Sequence, residues 1–173
     1  MHSISRFTRQ WLALLLSFAL LAGTASLATA AGLSSLDGKP DSLDNYIGKD
    51  KWTVVMVWAS DCHVCNTEAH EYVAFQSRRP DIQMLGLTLD GEANKAAALE
   101  FVKEHKLNFP NLIGEPETVA GLYYELTGNF FMGTPTFLIY TPQGKLTAAD
   151  VGAIPVEIIE DFIASQAVAT SGS

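Results

Sequence analysis

The only two cysteines of this 173-residue chain stand three positions apart, in the stretch VVMVWASDCHVCNTEAH at residues 54–70. They follow a nearly continuous apolar run at residues 52–59, the pattern of a β-strand buried on both faces. After them, apolar residues recur at helical spacing as far as Phe75, and Arg78-Arg79-Pro80 ends the segment. The sequence therefore predicts a strand-to-helix junction with Cys62 in the first turn of a helix at residues 62–77.

This placement predicts a redox function for the pair. Unpaired N–H groups and the dipole at a helix N-terminus favour an anion, and they can lower the pKa of a thiol from about 8.5 to between roughly 3.5 and 7.5. Cys65 lies one turn further in, on the same helix face, where it can attack a mixed disulfide. Cys62 is the candidate nucleophile and Cys65 the candidate resolving thiol. A purely structural disulfide over so small a loop would stabilise the fold only weakly.

Metal and haem sites need residues that the chain does not supply near the pair. Zinc would take two more ligands, and closing the site with His63 and His70 from the same short helix is geometrically poor. Attachment of c-type haem needs histidine directly after the second cysteine, where Asn66 stands. We therefore expect no metal and no other cofactor. A non-catalytic binding module or a copper-delivery protein using both cysteines remains an alternative.

The rest of the chain alternates between strand and helix patterns. Besides the first strand and helix, strands are predicted at residues 82–89, 109–113, 136–140 and 145–151, and helices at residues 93–105, 116–126 and 156–167. The last two strands flank Thr141-Pro142-Gln143-Gly144, a hairpin signal. This order predicts an α/β domain whose mixed sheet is covered by helices on both faces.

The first 30 residues read as a signal peptide. Arg6 and Arg9 precede an apolar run at residues 11–22, and an Ala-Thr-Ala cleavage pattern ends at Ala30. We expect one domain over residues 31–173, exported to the periplasm if the source is Gram-negative, with the mature chain starting at or next to Ala31. The alternative is an uncleaved membrane anchor, because the apolar segment extended to Ala31 just reaches the roughly 20 residues of a bilayer span.

The charge of the chain excludes some partners. The net charge is −8 for the whole chain, and −10 without the two arginines of the leader. Beyond Arg78-Arg79 no cluster of basic residues appears. An acidic chain of this kind is a poor match for nucleic acid or for an anionic membrane surface.

A second stretch, GNFFMGTPTFLIYTPQGKL at residues 128–146, resembles the cis-proline strand and following hairpin of thioredoxin-fold proteins. Together with VVMVWASDCHVC, it makes the chain similar to the exported thiol–disulfide oxidoreductases of the TlpA/ResA type, within the redoxin superfamily. The resemblance extends to SLDNYIGK and to LEFVKEHKLNFPNLIGEPETVAGLYYELTG, which corresponds to the helical insertion that separates this group from plain thioredoxin. It spans roughly residues 33–165.

The resemblance implies a thioredoxin-like fold, with the helical insertion before the cis-proline strand, and a protein disulfide reductase. Pro135 would be the cis-proline, and Thr134 and Pro135 would leave an edge open for a substrate's extended backbone. The implied partners are disulfide-containing exported proteins, including apocytochromes c awaiting haem, and a membrane thiol electron donor; the chain would act as a monomer. An oxidant or an isomerase remains open, because the reduction potential depends on thiolate stabilisation.

Three positions depart from the family pattern. Val64 replaces the usual proline within CxxC, Asp61 replaces an aromatic residue, and Met56 stands where thioredoxin has a buried acid. Without that acid, proton transfer at Cys65 would use water or Glu68.

Two neighbours of the pair are candidate tuning residues. Asp61 should raise the pKa of Cys62, and a protonated His63 should lower it. The alternative for His63 is an exposed histidine in the first helical turn. Other histidines and tyrosines are assigned to the surface and to packing: His70, His105, Tyr123 and Tyr124.

A peroxidase of the peroxiredoxin kind is a further alternative class. It would require Pro-x-x-x-Thr/Ser-x-x-Cys, and Val55 and Ala59 occupy the proline and hydroxyl positions.

Overall fold

The computed structural model describes the backbone of residues 32–171 and the side chains of residues 32–166. Six strands form one sheet in this part of the chain: β1 Ser34–Ser35, β2 Trp52–Trp58, β3 Ile82–Thr88, β4 Asn111–Ile113, β5 Thr136–Tyr140 and β6 Leu146–Val151. Four α-helices accompany them: α1 His63–Arg78, α2 Lys95–Glu104, α3 Pro116–Thr127 and α4 Val156–Ser171. Short 3-10 turns lie at Leu43–Asn45 and Glu92–Asn94.

The sheet is mixed, with spatial order β1-β4-β3-β2-β5-β6. Strand β3 runs parallel to both β2 and β4, whereas β5 is antiparallel to β2 and β6, and β1 is antiparallel to β4. Trp58 pairs with Thr88, and Val57 pairs with Thr136. The segments that follow β2 and β3 and the segment that precedes β5 therefore meet at one edge of the sheet.

Two apolar layers enclose the sheet. Along β2, Val54, Met56 and Trp58 pack into the layer that contains α1, α2 and α4, whereas Val55 and Val57 pack into the layer that contains α3. Both sets are almost completely buried. The alternation explains why the strand reads as a continuous apolar run rather than as an alternating one.

The outer strands differ from the inner ones. β1 is only two residues long, and its Ser34 also bridges to Pro40. β6 pairs with β5 through a shift of register at Ile139 and Tyr140, and its last three residues are exposed.

The fold prediction is confirmed, with differences at the ends of elements. Cys62 caps α1 instead of belonging to it, and α2 begins only after a 3-10 turn. Strand β4 is shorter than the predicted 109–113. β1 was not predicted, because two serines carry no apolar pattern and pair only through a contact distant in sequence.

The proposed signal peptide and its cleavage site lie outside the described residues. Within residues 32–171, no helix combines the length and the apolar character needed to cross a membrane.

Candidate active site

Cys62 and Cys65 are joined by a disulfide, with their Cα atoms 5.2 Å apart. Cys62 is the N-cap of α1, in an extended conformation, and its Sγ accepts a hydrogen bond from the backbone N–H of Cys65 at 3.1 Å. The side chain of Cys65 is fully buried in the apolar layer to which Met56 also belongs, whereas Cys62 is half-buried. A partner molecule can therefore reach Cys62 but not Cys65, and the accessible sulfur already receives one N–H group of the helix N-terminus.

A buried carboxylate holds the segment between β2 and the cysteines. Asp90, 9% exposed, follows β3 and accepts hydrogen bonds from the N–H of Ser60 at 3.1 Å and from its hydroxyl at 2.9 Å. The hydroxyl of Thr88 donates to the same carboxylate at 2.7 Å. Since Trp58 and Thr88 are paired in the sheet, the end of β3 brings Asp90 directly to the loop that leads to Cys62.

A second set of hydrogen bonds reaches the loop from α1. The side-chain amide of Asn66 donates to the carbonyl of Ser60 at 3.0 Å and to the carbonyl of Cys62 at 2.9 Å. Its Oδ1 lies 3.0 Å from Nε2 of His105, the residue that caps the end of α2. The imidazole packs against Phe101, with ring centroids 4.3 Å apart, and Phe101 stacks on Trp58.

The predicted substrate-binding pair lies at the same edge of the sheet. The Thr134–Pro135 peptide bond is cis, and Pro135 is buried directly before β5. Its carbonyl accepts the N–H of Gly152 at 2.8 Å. Thr134 is half-buried, and its backbone makes no hydrogen bond with any residue that the structure describes.

The three predicted tuning residues make no hydrogen bond or ion pair through their side chains within residues 32–166. Asp61 and His63 are exposed on either side of Cys62. Glu68 is half-buried and lines a cavity of about 400 Å³ together with Glu71, Tyr72 and residues 153–157, where the last loop enters α4. Among the described residues, no group of three histidine, cysteine, aspartate or glutamate side chains is placed to hold a metal ion.

Sequence reasoning missed three residues that support the loop between β2 and α1: Asp90 and Asn66, which hydrogen-bond to it, and His105, which lies against Asn66. Asp90 was open to detection, because it follows a buried strand parallel to the one that leads to Cys62, and such strand ends meet at one edge. Assigning His105 to packing was right as to its contact with Phe101, but it missed the contact with Asn66. No local pattern in the sequence indicates that contact.

The sequence of this chain matches known proteins. Residues 25–149 match the family model described as the AhpC/TSA family. A curated relative, sporulation thiol-disulfide oxidoreductase A of Bacillus subtilis (strain 168), is 21% identical over 133 residues, which are 75% of each protein.

Solved structures share the fold. A DsbF homologue from Corynebacterium diphtheriae superposes with a TM-score of 0.64 at 21% identity, covering 78% of this chain and 85% of that one. A secreted Mycobacterium tuberculosis disulfide oxidoreductase homologous to Escherichia coli DsbE gives 0.57 at 24% identity, covering 74% and 89%. These structures confirm the thioredoxin-like fold, and the family match together with the Bacillus subtilis relative confirms the resemblance to thiol–disulfide oxidoreductases of the redoxin superfamily.

Proposed function

Since this chain belongs to the AhpC/TSA family, we propose on that premise that it is a thiol–disulfide oxidoreductase, which reduces protein disulfides through Cys62 and Cys65. The observation that carries the proposal is the disulfide at the N-terminus of α1, with one accessible sulfur and one buried sulfur. The Bacillus subtilis relative and the Mycobacterium tuberculosis structure carry names for the same kind of chemistry.

The reduced form would act by two exchange steps. The Cys62 thiolate attacks one sulfur of a substrate disulfide, so that a mixed disulfide forms and the first substrate sulfur leaves as a thiolate. The Cys65 thiolate then attacks Sγ of Cys62 and displaces the second substrate sulfur. The substrate gains two electrons and, with two protons from solvent, becomes a dithiol, while the pair is oxidised to its disulfide.

The surroundings of the pair suit a polypeptide substrate. The backbone of Thr134, which has no hydrogen-bond partner within residues 32–171 and lies next to Pro135, can pair with an extended segment. Phe130 and Met132 in the same loop are 79% and 78% exposed, whereas Phe131 between them packs edge-on against Tyr123 in the core. The anchored loop thus offers two apolar side chains a few residues from Thr134, which would contact apolar residues that flank a substrate cysteine.

The finer assignments follow from the leader and from the family resemblance. Residues 1–30 would direct export and residues 31–173 would form the working domain, a periplasmic monomer in a Gram-negative source. The secreted Mycobacterium tuberculosis structure supports an exported setting. Disulfide-containing exported proteins, apocytochromes c among them, would be the substrates, and a membrane thiol donor would restore the dithiol.

Local side chains would adjust the reactivity of the pair. Asp61 and His63 flank Cys62 with opposing charges when the histidine is protonated, and Glu68 lies on α1 one turn beyond Cys65. Because apolar Met56 stands where thioredoxin has a buried acid, water or Glu68 would carry the proton of Cys65.

The peroxidase alternative has no support at the positions that its motif requires. Val55 stands at the proline position of the motif, and Ala59, at the hydroxyl position, has no hydroxyl group to offer beside Cys62. A copper-delivery role remains testable from the metal content of the purified, reduced protein after incubation with Cu(I).

Two cysteine variants test the proposal. Cys65→Ala should accumulate a mixed disulfide with insulin, seen as a mass increase that dithiothreitol reverses, because the resolving thiol is missing. Cys62→Ala should form none, because Cys65 is shielded, and a Cys62→Ala/Cys65→Ala double variant is the matched control. Trapping by Cys62→Ala alone would reverse the assignment. Insulin reduction that survives in all three variants would remove both cysteines from the chemistry.

A further inference from the structure

The hydrogen bonds of Asn66 determine where the proton on His105 lies. Both N–H groups of the Asn66 amide are used, one on the carbonyl of Ser60 and one on the carbonyl of Cys62. Its Oδ1, which can only accept, therefore faces His105, so Nε2 of the imidazole must be the donor. Nε2 carries hydrogen in the corresponding neutral tautomer and in the cation, so this contact persists in both forms of the ring.

The chain of contacts ends on the backbone of the reactive cysteine. The Cys62 carbonyl accepts from the backbone N–H of Asn66 at 3.0 Å and from its side chain at 2.9 Å. These two bonds hold Cys62 in the extended N-cap conformation that directs Sγ toward the N–H of Cys65. Asp90 fixes the other end of the same loop through Ser60.

We propose that His105 is a positioning residue for the redox pair: by orienting the Asn66 amide, it holds the Cys62 sulfur at the N-terminus of α1 and stabilises the reduced form. This inference rests on the proposed function, since it concerns the same two cysteines. Among the described residues, the imidazole makes its side-chain hydrogen bond to Asn66 and none to either sulfur, so its effect passes through Asn66.

The direction of the effect follows from the thiolate. If Asn66 loses its orientation, Sγ of Cys62 is less well aligned with the helix N–H groups, so the pKa of the Cys62 thiol should rise. Thiol–disulfide oxidoreductases whose reduced form is strongly stabilised are strong oxidants. A less stable Cys62 thiolate has the opposite effect and disfavours the reduced form. The equilibrium with a reference dithiol should move toward the oxidised chain by about three- to tenfold, the size expected for one hydrogen bond.

The test measures that equilibrium at pH 7 against dithiothreitol, with the fraction of reduced protein read by alkylation and intact mass. His105→Phe removes the donor and keeps an aromatic ring against Phe101, and His105→Leu removes the donor without a ring. His105→Gln restores a donor near the position of Nε2. Asn66→Leu breaks the path at its second member. His70→Phe is the matched control, because His70 lies exposed on α1 with contacts only to its own helix.

The inference requires that His105→Phe or His105→Leu shift the equilibrium constant with dithiothreitol as far as Asn66→Leu does. A double variant that combines the His105 change with Asn66→Leu should shift that constant no further. His105→Gln and His70→Phe should match the wild type. An unchanged constant in the folded Phe and Leu variants, or fully additive effects with Asn66→Leu, would overturn it. If the wild type does not reduce insulin while the predicted shifts appear, the proposed function fails and the positioning role of His105 stands.

Discussion

Replacing Tyr140 by phenylalanine should make the protein more stable. Tyr140 is 3% exposed in β5, and its hydroxyl has no hydrogen-bond partner within the described residues. An unsatisfied buried polar group costs about 1–3 kcal/mol, whereas the ring packs equally well without it. Tyr140→Phe should therefore raise the free energy of unfolding by about 1 kcal/mol at pH 7, and the melting temperature by about 3 °C.

Tyr72 provides the matched comparison of opposite sign. It is equally buried, but its hydroxyl donates to the carbonyl of Ile154 at 3.1 Å. Tyr72→Phe removes that bond and should lower the free energy of unfolding by about 1 kcal/mol. The same atom is deleted in both variants, so only the presence of a partner separates the two outcomes.

Alkaline pH should act on both tyrosines alike. Burial raises the pKa of Tyr72 and of Tyr140 to about 12, with a smaller contribution from the negative charge of Asp44 at Tyr140. Because the folded-state pKa lies above the usual value of 10, the folded protein keeps these protons longer. The resulting stability is present in full below pH 10 and is lost as the pH rises through 12, by about 2 kcal/mol for each group at pH 12.

Urea unfolding of the oxidised protein, followed by far-ultraviolet circular dichroism between pH 7 and pH 11.5, measures both effects. Each variant should lose less stability than the wild type above pH 10, whether its substitution raises or lowers the free energy of unfolding at pH 7. A Tyr140→Phe variant that is less stable than the wild type at pH 7 would refute the account of an unsatisfied hydroxyl. Equal alkaline slopes in all three proteins would refute the shifted pKa values.

Two further predictions concern the loop and the leader. Asp90→Ala leaves the N–H and hydroxyl of Ser60 and the hydroxyl of Thr88 without their acceptor, so it should lower the free energy of unfolding, measured in urea, by about 3 kcal/mol. Asp90→Asn keeps one acceptor oxygen and should lower it less. A loss below about 1 kcal/mol for the alanine variant would contradict the role given to the buried carboxylate. Protein recovered from the periplasm of an expressing host should have the intact mass of a chain that begins at or next to Ala31. A mass that corresponds to a chain still containing Trp11 would indicate an uncleaved anchor.

Sequence patterns located most of the sheet because its inner strands are governed by burial. The apolar runs that became β2, β3 and β5 are buried on both faces, and such runs can be read without any long-range information. β1 was beyond this reasoning, because Ser34 and Ser35 become a strand only by pairing with Leu112 and Ile113.

The residues of the candidate site also fall into a part that the sequence revealed and a part that it did not. Cys62 and Cys65 were found from their spacing, since the N-cap of a helix and a position three residues later lie close together whatever the rest of the fold. The support of the loop was not found, because Ser60, Asn66, Asp90 and His105 are separated by up to 45 positions and meet only through the order of strands in the sheet. The spacing of residues within one helix is encoded locally, and contacts between different elements are not.

The two outer strands have a consequence for how the protein meets other polypeptides. A long, flat strand edge invites other chains to add to it and aggregate. Here one edge is β1, only two residues long, and the other is β6, whose pairing is offset at Ile139 and Tyr140. On β6, the carboxylate of Asp150 accepts the N–H of Val151 at 2.9 Å, which occupies a donor that an incoming strand would need. Within the described residues, an exposed β-prone segment of another polypeptide would thus find little to extend at either margin of the sheet, which disfavours aggregation through strand addition.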